Sequence, residues 1–143
     1  MSSSIPQIDL ADINSSLGHD AQGLVNWAVG LGLTSIVTTN FRPFEAVILH
    51  MCARAQPDMR VIWMDNGYNT DATYQFADEV TKQLGLNLSI YLPRRSRAHR
   101  EAVEGAVPAL DDPRHAAFTE EVKLEPFARA LRETAPQVWF TAL

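Results

Sequence analysis

Thr34-Ser35-Ile36-Val37-Thr38-Thr39, broken by Phe41-Arg42-Pro43, decides the fold class. The run is β-branched almost throughout, as a strand covered on both faces tends to be. Pro43 suits the first turn of a helix, and the spacing carries that helix to about Ala55. Gln56-Pro57-Asp58 turns the chain into a second apolar run, Arg60-Val61-Ile62-Trp63-Met64-Asp65. Strand, helix and strand in that order make a βαβ unit with parallel strands.

The pattern continues outward on both sides. Asn66-Gly67 is turn chemistry. Thr73 to Leu84 has helical spacing through Phe76, Val80 and Leu84, with Gly85 as its C-cap. Leu86 to Tyr91 reads as a third strand. Residues 93–121 are polar, with a short helix expected near 96–104 and a loop from Pro108 to Pro113. Glu125 to Arg132 is helical, and Val138-Trp139-Phe140-Thr141 is a fourth strand. Upstream, Leu10, Ile13 and Leu17 mark a short amphipathic helix over residues 9–17. Asp20 caps a second helix that carries Leu24, Val25, Trp27, Ala28 and Val29 and ends at Gly30 and Gly32. The expectation is an α/β chain forming one domain over residues 1–143. Its sheet is open and mostly parallel, of about four or five strands, with helices on both faces.

Composition sets outer bounds. The 143 residues are 46% apolar and 20% charged, ordinary for one globular domain. A formal charge of −5 argues against a general nucleic-acid binder, which presents a basic face. No apolar run approaches the roughly 18 residues that a membrane-spanning helix needs. Met1-Ser2-Ser3-Ser4-Ile5-Pro6 lacks a basic segment followed by an apolar one, so no signal peptide is expected and the location is read as cytoplasmic. Cys52 is the single cysteine, which excludes an intrachain disulfide and a cysteine-ligated iron–sulfur cluster. Neither a cofactor nor a metal is expected. Within Leu49-His50-Met51-Cys52-Ala53 the thiol reads as a buried structural group.

In open parallel sheets, ligands bind beyond the carboxyl ends of the strands. Three loops lie at such ends: Thr38 to Pro43, Asp65 to Asp71 and Leu92 to Arg97. The first leads into a helix whose N-terminal amides suit a phosphate. Asp65 fits either ligand contact or turn capping. Arg94, Arg95, Arg97, His99 and Arg100 form a basic cluster that reads as a solvated loop and helix face, with anion contact as the alternative. His50 is read as a core or boundary residue, and His19 and His115 as loop residues. Trp27, Trp63 and Trp139 are read as core or boundary packing.

Several segments in register resemble the phosphoadenylyl-sulfate (PAPS) reductase family. Ala21-Gln22-Gly23-Leu24-Val25-Asn26-Trp27-Ala28 is similar to the helix before that family's first strand. Asp65-Asn66-Gly67-Tyr68 and Thr73-Tyr74-Gln75-Phe76 resemble its Asp-Thr-Gly-Tyr and Glu-Thr-Tyr-x-Phe stretches at unchanged spacing. Leu86-Asn87-Leu88 leading into Tyr91 resembles the next strand. Lys123-Leu124-Glu125-Pro126 with Arg129-Ala130-Leu131 resembles Lys-Val-Glu-Pro…Arg-Ala-Leu, and Gln137-Val138-Trp139-Phe140 the strand after it. The resemblance implies an adenine nucleotide α-hydrolase-like fold and a place in assimilatory sulfate reduction. It implies reduction of a sulfonucleotide to sulfite and adenosine 3′,5′-bisphosphate, with thioredoxin or glutaredoxin as reductant. The nucleotide or phosphate contacts it implies are Thr38, Thr39, Asn40, Arg42, Asp65 and Gly67, with Arg94, Arg95 and Arg97 as further anion contacts.

The departures are local. The family's phosphate loop reads Ser-x-Ser-Phe-Gly; the matching stretch here is Thr38-Thr39-Asn40-Phe41-Arg42, then Pro43. Glycine allows close backbone approach, which arginine gives up, while proline removes an amide donor. Arg42 either marks a damaged loop or meets the anion through its guanidinium. The family's Phe-Pro-Glu is Thr70-Asp71-Ala72 here. Its Glu-Cys-Gly-x-His nucleophile motif has no match up to Leu143, so no catalytic residue is assigned. Phe118-Thr119-Glu120-Glu121 stands where cluster-binding relatives carry paired cysteines, which points to the cluster-free branch. Two readings follow: the nucleotide-binding portion of a reductase, not catalytic alone, or a degenerate paralogue serving as a binding or oligomeric subunit. A homodimer or a partner chain is expected in either case.

Overall fold

Side-chain caps fix where the helices begin. In the computed structural model, which describes residues 7–142, Asp9 precedes helix α1 (Leu10–Leu17) and its carboxylate accepts from the amides of Ala11 and Asp12. Asp20 does the same for α2 (Ala21–Gly30) through the Gly23 amide at 2.8 Å. Each bond satisfies a backbone donor that the helix itself leaves free. The reading of Met1 to Pro6 and the chain end at Leu143 lie outside the described residues.

Strand β1 (Ser35–Thr39) is buried along its full length. A 3₁₀ turn at Pro43–Glu45 leads into α3 (Ala46–Ala55), so the expected helix from Pro43 opens with a tighter turn. Strand β2 (Arg60–Met64) is followed by α4 (Asp71–Leu84). That helix starts two residues before Thr73 because Thr70 caps it, accepting from the Thr73 amide. Gly85 closes it in the left-handed conformation, φ 62°, which glycine adopts without a Cβ clash. Strand β3 (Asn87–Tyr91) and helix α5 (Arg97–Glu104), capped by Ser96, follow as expected.

The polar stretch after α5 differs from expectation. His115, read as a loop residue, opens helix α6 (His115–Thr119). A π-type turn at Glu120–Leu124 joins α6 to α7 (Glu125–Thr134) without a break, and strand β4 (Val138–Phe140) completes the sheet. A proline inside a helix lacks an amide and crowds the carbonyl four residues back. The widened turn relieves that crowding just before Pro126, whose side chain is fully buried.

The sheet has the order β3-β2-β1-β4 and every pairing is parallel. Helices α2, α3 and α4 cover one face: Val25, Leu49, Cys52, Ala77 and Val80 pack with Val37, Val61 and Trp63. Helix α7 covers the other, where Ala130 meets Ile36, Ile62 and Tyr91. The expectation of an α/β sheet covered on both faces therefore holds, with four parallel strands among the described residues. Trp63 is core and Trp27 half-buried, but Trp139 is 50% exposed, its ring tilted against Phe127. His50 is exposed rather than core or boundary, because it lies on the outer side of α3. Among the described residues no helix is long and apolar enough to cross a membrane.

Ile62 is fully buried between β1 and β3 and packs toward α7. Ile62→Ala is expected to lower unfolding free energy by about 2–5 kcal/mol, read from urea midpoints at constant slope. A loss under about 1 kcal/mol would show that the α7 face is loosely packed.

Candidate functional site

The chain steps outward from β1 to β2 and β3, then returns to the far side of β1 as β4. All four strands share a direction, so the loops after β1, β2 and β3 gather at one end of the sheet, the end where such folds hold ligands. All three expected loops lie there.

The loop after β1 is organised by a residue the sequence reading did not single out. The Glu45 carboxylate is almost fully buried and accepts from the Thr39 hydroxyl at 2.7 Å and the Asn40 amide at 2.6 Å. Thr39 Oγ1 in turn accepts from the Phe41 amide at 2.9 Å. Phe41 sits at φ 53°, an uncommon conformation for a residue with a Cβ, and its ring packs edge-on against Trp63 at 5.0 Å. Thr38 is held differently: its hydroxyl accepts from the Trp139 indole at 2.9 Å, across β1 and β4. The available signal for Glu45 was an acid in the first turn after Pro43, where the helix dipole favours negative charge.

The loop after β2 turns on Asp65. One carboxylate oxygen accepts from the Gly67 amide, the Asn69 amide side chain and the Tyr74 hydroxyl, all within 2.9 Å. Asp65 thus caps its turn and aims Asn69. Burial, and secondarily the Asp65 carboxylate, push the Tyr74 phenol above its ordinary pKa, so it stays a donor at neutral pH. Gly67 has φ 81°, and a Cβ there would come within 3.4 Å of the Arg97 side chain. The loops after β2 and β3 therefore touch.

Between the loops after β1 and β2 lies a polar cavity of about 320 Å³, lined by Asn40, Arg42, Asn66, Asn69, Thr73 and Lys123 among others. Arg42 and Lys123 bring two cations to it. Arg42 belongs to the loop after β1, and Lys123 arrives on the π-type turn. Lys123 entered the sequence reading only as part of a resembling segment; nothing in its local spacing places it at this end of the sheet.

The basic cluster does not act as one unit. Arg95 is gripped by two carboxylates, bidentate with Glu121 at 2.6 and 2.7 Å and also bonded to Glu104. The Arg95 guanidinium holds the Glu121 carboxyl below the usual range. Arg100 is 3% exposed with its guanidinium 4.4 Å from the Phe118 ring centre, so the solvated reading fails for this residue. Arg97 pairs with Glu101 and lies over the Tyr68 ring at 4.8 Å. Arg94 is exposed, 3.3 Å from Glu125. These contacts fasten the loop after β3 to α5 and α6. His115 Nδ1 lies 3.1 Å from the Pro108 carbonyl, which ties the intervening loop to the same unit.

Cys52 stands apart, buried in α3 among the apolar residues between that helix and the sheet. Burial pushes its thiol up to about 11. A thiolate nucleophile needs the opposite environment, partly exposed and electropositive.

Comparison with known proteins fits this architecture. The phosphoadenosine phosphosulfate reductase domain model matches residues 34–143. A phosphoadenosine 5′-phosphosulfate reductase from Synechocystis is 36% identical over the whole chain, and one from Alteromonas mediterranea is 40% identical over 94% of it. The chain spans 59% and 55% of the length of these two relatives. A crystal structure of a PAPS reductase from Candida auris, in a phosphate complex, superposes with a TM-score of 0.81 at 26% identity. It covers 99% of this chain and 70% of its own.

Cys52 is expected to resist aromatic disulfide reagents at neutral pH in the folded protein and to react at once in denaturant. Rapid labelling without denaturant would overturn its burial. Because the folded thiol has the raised pKa, ionisation favours the unfolded chain. Stability should fall as pH rises from 9.0 toward about 11. Cys52→Ala should shrink that fall.

Proposed function

The chain belongs to the phosphoadenosine phosphosulfate reductase domain family, and on that footing we propose that these residues form the nucleotide-binding part of a sulfonucleotide reductase of assimilatory sulfate reduction. The observation that carries this reading is the polar cavity at the strand ends, with Arg42 and Lys123 facing the Asn66–Asn69 turn. Its ligand is an adenine nucleotide, PAPS or adenosine 3′,5′-bisphosphate. Two cations and several amide side chains suit a group with more than one negative charge. Thr38, Thr39 and Asn40 build the wall under the ligand, Arg42 meets its anion, and Asp65 with Gly67 sets the opposite turn. Arg94 and Arg97 are the further anion contacts of this reading, while Arg95 is engaged by Glu121 and Glu104.

Reduction begins when a thiolate attacks the sulfonate sulfur, forming a sulfur–sulfur bond and releasing adenosine 3′,5′-bisphosphate. Cys52 is unsuited to that attack. In this reading the thiolate comes from outside these 143 residues, and thioredoxin is the reductant that completes the turnover.

A second reading is favoured by the hydrogen bonds of the first loop. The Thr39 hydroxyl and the Asn40 amide donate to Glu45, and Thr38 receives Trp139. A loop so satisfied within itself suits a non-catalytic binding or oligomeric subunit. Both readings include a homodimer or a partner chain. The outer strands β3 and β4 carry Ile90 and Trp139, each about half exposed.

Titration with adenosine 3′,5′-bisphosphate is expected to give saturable binding at millimolar ligand or below. Arg42→Ala and Lys123→Ala should each weaken it roughly tenfold, the worth of one charge-assisted contact. Absence of binding at millimolar nucleotide would sink any nucleotide role. A monomer by light scattering would count against the assembly.

A further inference from the structure

We propose that Glu45 is the specificity-determining residue of the first loop: its carboxylate takes the donors that a ligand phosphate would need, and so moves the anion to the Arg42 and Lys123 side of the cavity. This rests on the nucleotide-binding reading above and deepens it.

The argument starts from what a strand-end loop offers an anion. Its assets are backbone amides, a hydroxyl or two, and the positive end of the helix that follows. Here the Thr39 hydroxyl and the Asn40 amide already point at Glu45, while the Phe41 amide is engaged by Thr39. The acceptor is a carboxylate only 9% exposed. It is supplied from the first turn of the same helix, so the loop carries its own anion. A ligand phosphate on those donors would stand within a few ångströms of the carboxylate, and like charges that close repel strongly in a poorly solvated site.

The two positions that follow agree with this. Arg42 puts a long cation on the loop, and Pro43 has no amide to give. Arg42 is exposed, as is Lys123, and both line the same cavity. Positive charge stands on the open side of the cavity while the negative charge sits under the loop. A ligand anion held by Arg42 and Lys123 leaves Glu45 in place, and no bond of the loop has to break on binding.

A bracing role alone predicts something different. If Glu45 only holds the loop in shape, its removal loosens the loop and anions bind no better. The test uses the full chain with inorganic phosphate as one probe and adenosine 3′,5′-bisphosphate as the other. Glu45→Ala should bind inorganic phosphate roughly tenfold more tightly than the parent protein, because two donors are freed and a like charge is gone. Glu45→Gln keeps an acceptor without the charge and should show the same direction of change, which serves if the alanine variant unfolds. Adding Thr39→Val to either variant should abolish the gain, which places the new phosphate in the loop rather than on Arg42. Unchanged or weaker phosphate binding in a folded Glu45 variant overturns the proposal. Parent protein that binds the nucleotide while Glu45 variants gain nothing sinks this inference and leaves the nucleotide reading standing. Phosphate gain without nucleotide binding does the reverse.

Discussion

Everything at the candidate site is referenced to one buried strand. β1 lies between β2 and β4, with its alternate side chains turned to the α2–α3–α4 layer and to the α7 layer. A parallel strand in this position must be covered on both faces, because its connections run over the sheet as helices. Once β1 is fixed, the loop at its end has little freedom. Thr38 and Thr39 end the strand, and each hydroxyl is held by a different neighbour, Trp139 on one side and Glu45 on the other. The loop is shaped from both layers at once.

Charge at this end of the sheet is sorted by depth. Carboxylates lie beneath or between the loops: Glu45 under the first, Asp65 inside the second, Glu121 against the third. The cations that line the cavity, Arg42 and Lys123, have no carboxylate partner among the described residues. Buried acids that receive several hydrogen bonds stiffen their surroundings, whereas exposed cations remain free to meet a ligand. Arg95 and Arg100 show the other use of arginine, as fasteners: both reach Glu121 on the π-type turn, and Arg100 of α5 also lies over the Phe118 ring of α6.

Much of the scaffold was legible in the sequence because it rests on local chemistry. β-branched runs mark β1 and β2, Asp20 and Gly85 mark helix ends, and Pro43 marks a start. Residues 105–124 were not legible, since α6 is only five residues long, too short to show a helical period. It is held by the Phe118 ring against Tyr68, and the turn after it by Glu121 against Arg95, both residues far away in sequence. The same reason hid Arg100: a charged residue in a polar helix gives no sign of burial until its partners are known. The site was legible as three loops but not as a cavity. Asn69 comes from the turn after β2, Thr73 from the first turn of α4, and Lys123 from a segment with no readable element. Glu45 was hidden because an acid at a helix start has an ordinary structural role, and only the fold places it under the strand end.

The widened turn at Glu120–Leu124 sets the phase of the chain on either side of it. Each residue of an α-helix advances the direction of its side chain by about 100°. One added or removed residue therefore rotates everything beyond it by that angle. Upstream of the turn the helix must aim Phe118 at Tyr68 and Arg100; downstream it must aim Ala130 at the sheet, while Glu121 meets Arg95 and Lys123 reaches the cavity from the turn itself. A uniform helix has a single phase and would have to serve both directions with it. The π-type turn acts as a phase shifter. Length changes within residues 120–124 should thus be far less tolerable than most substitutions there, a constraint that belongs to counting residues rather than to their chemistry.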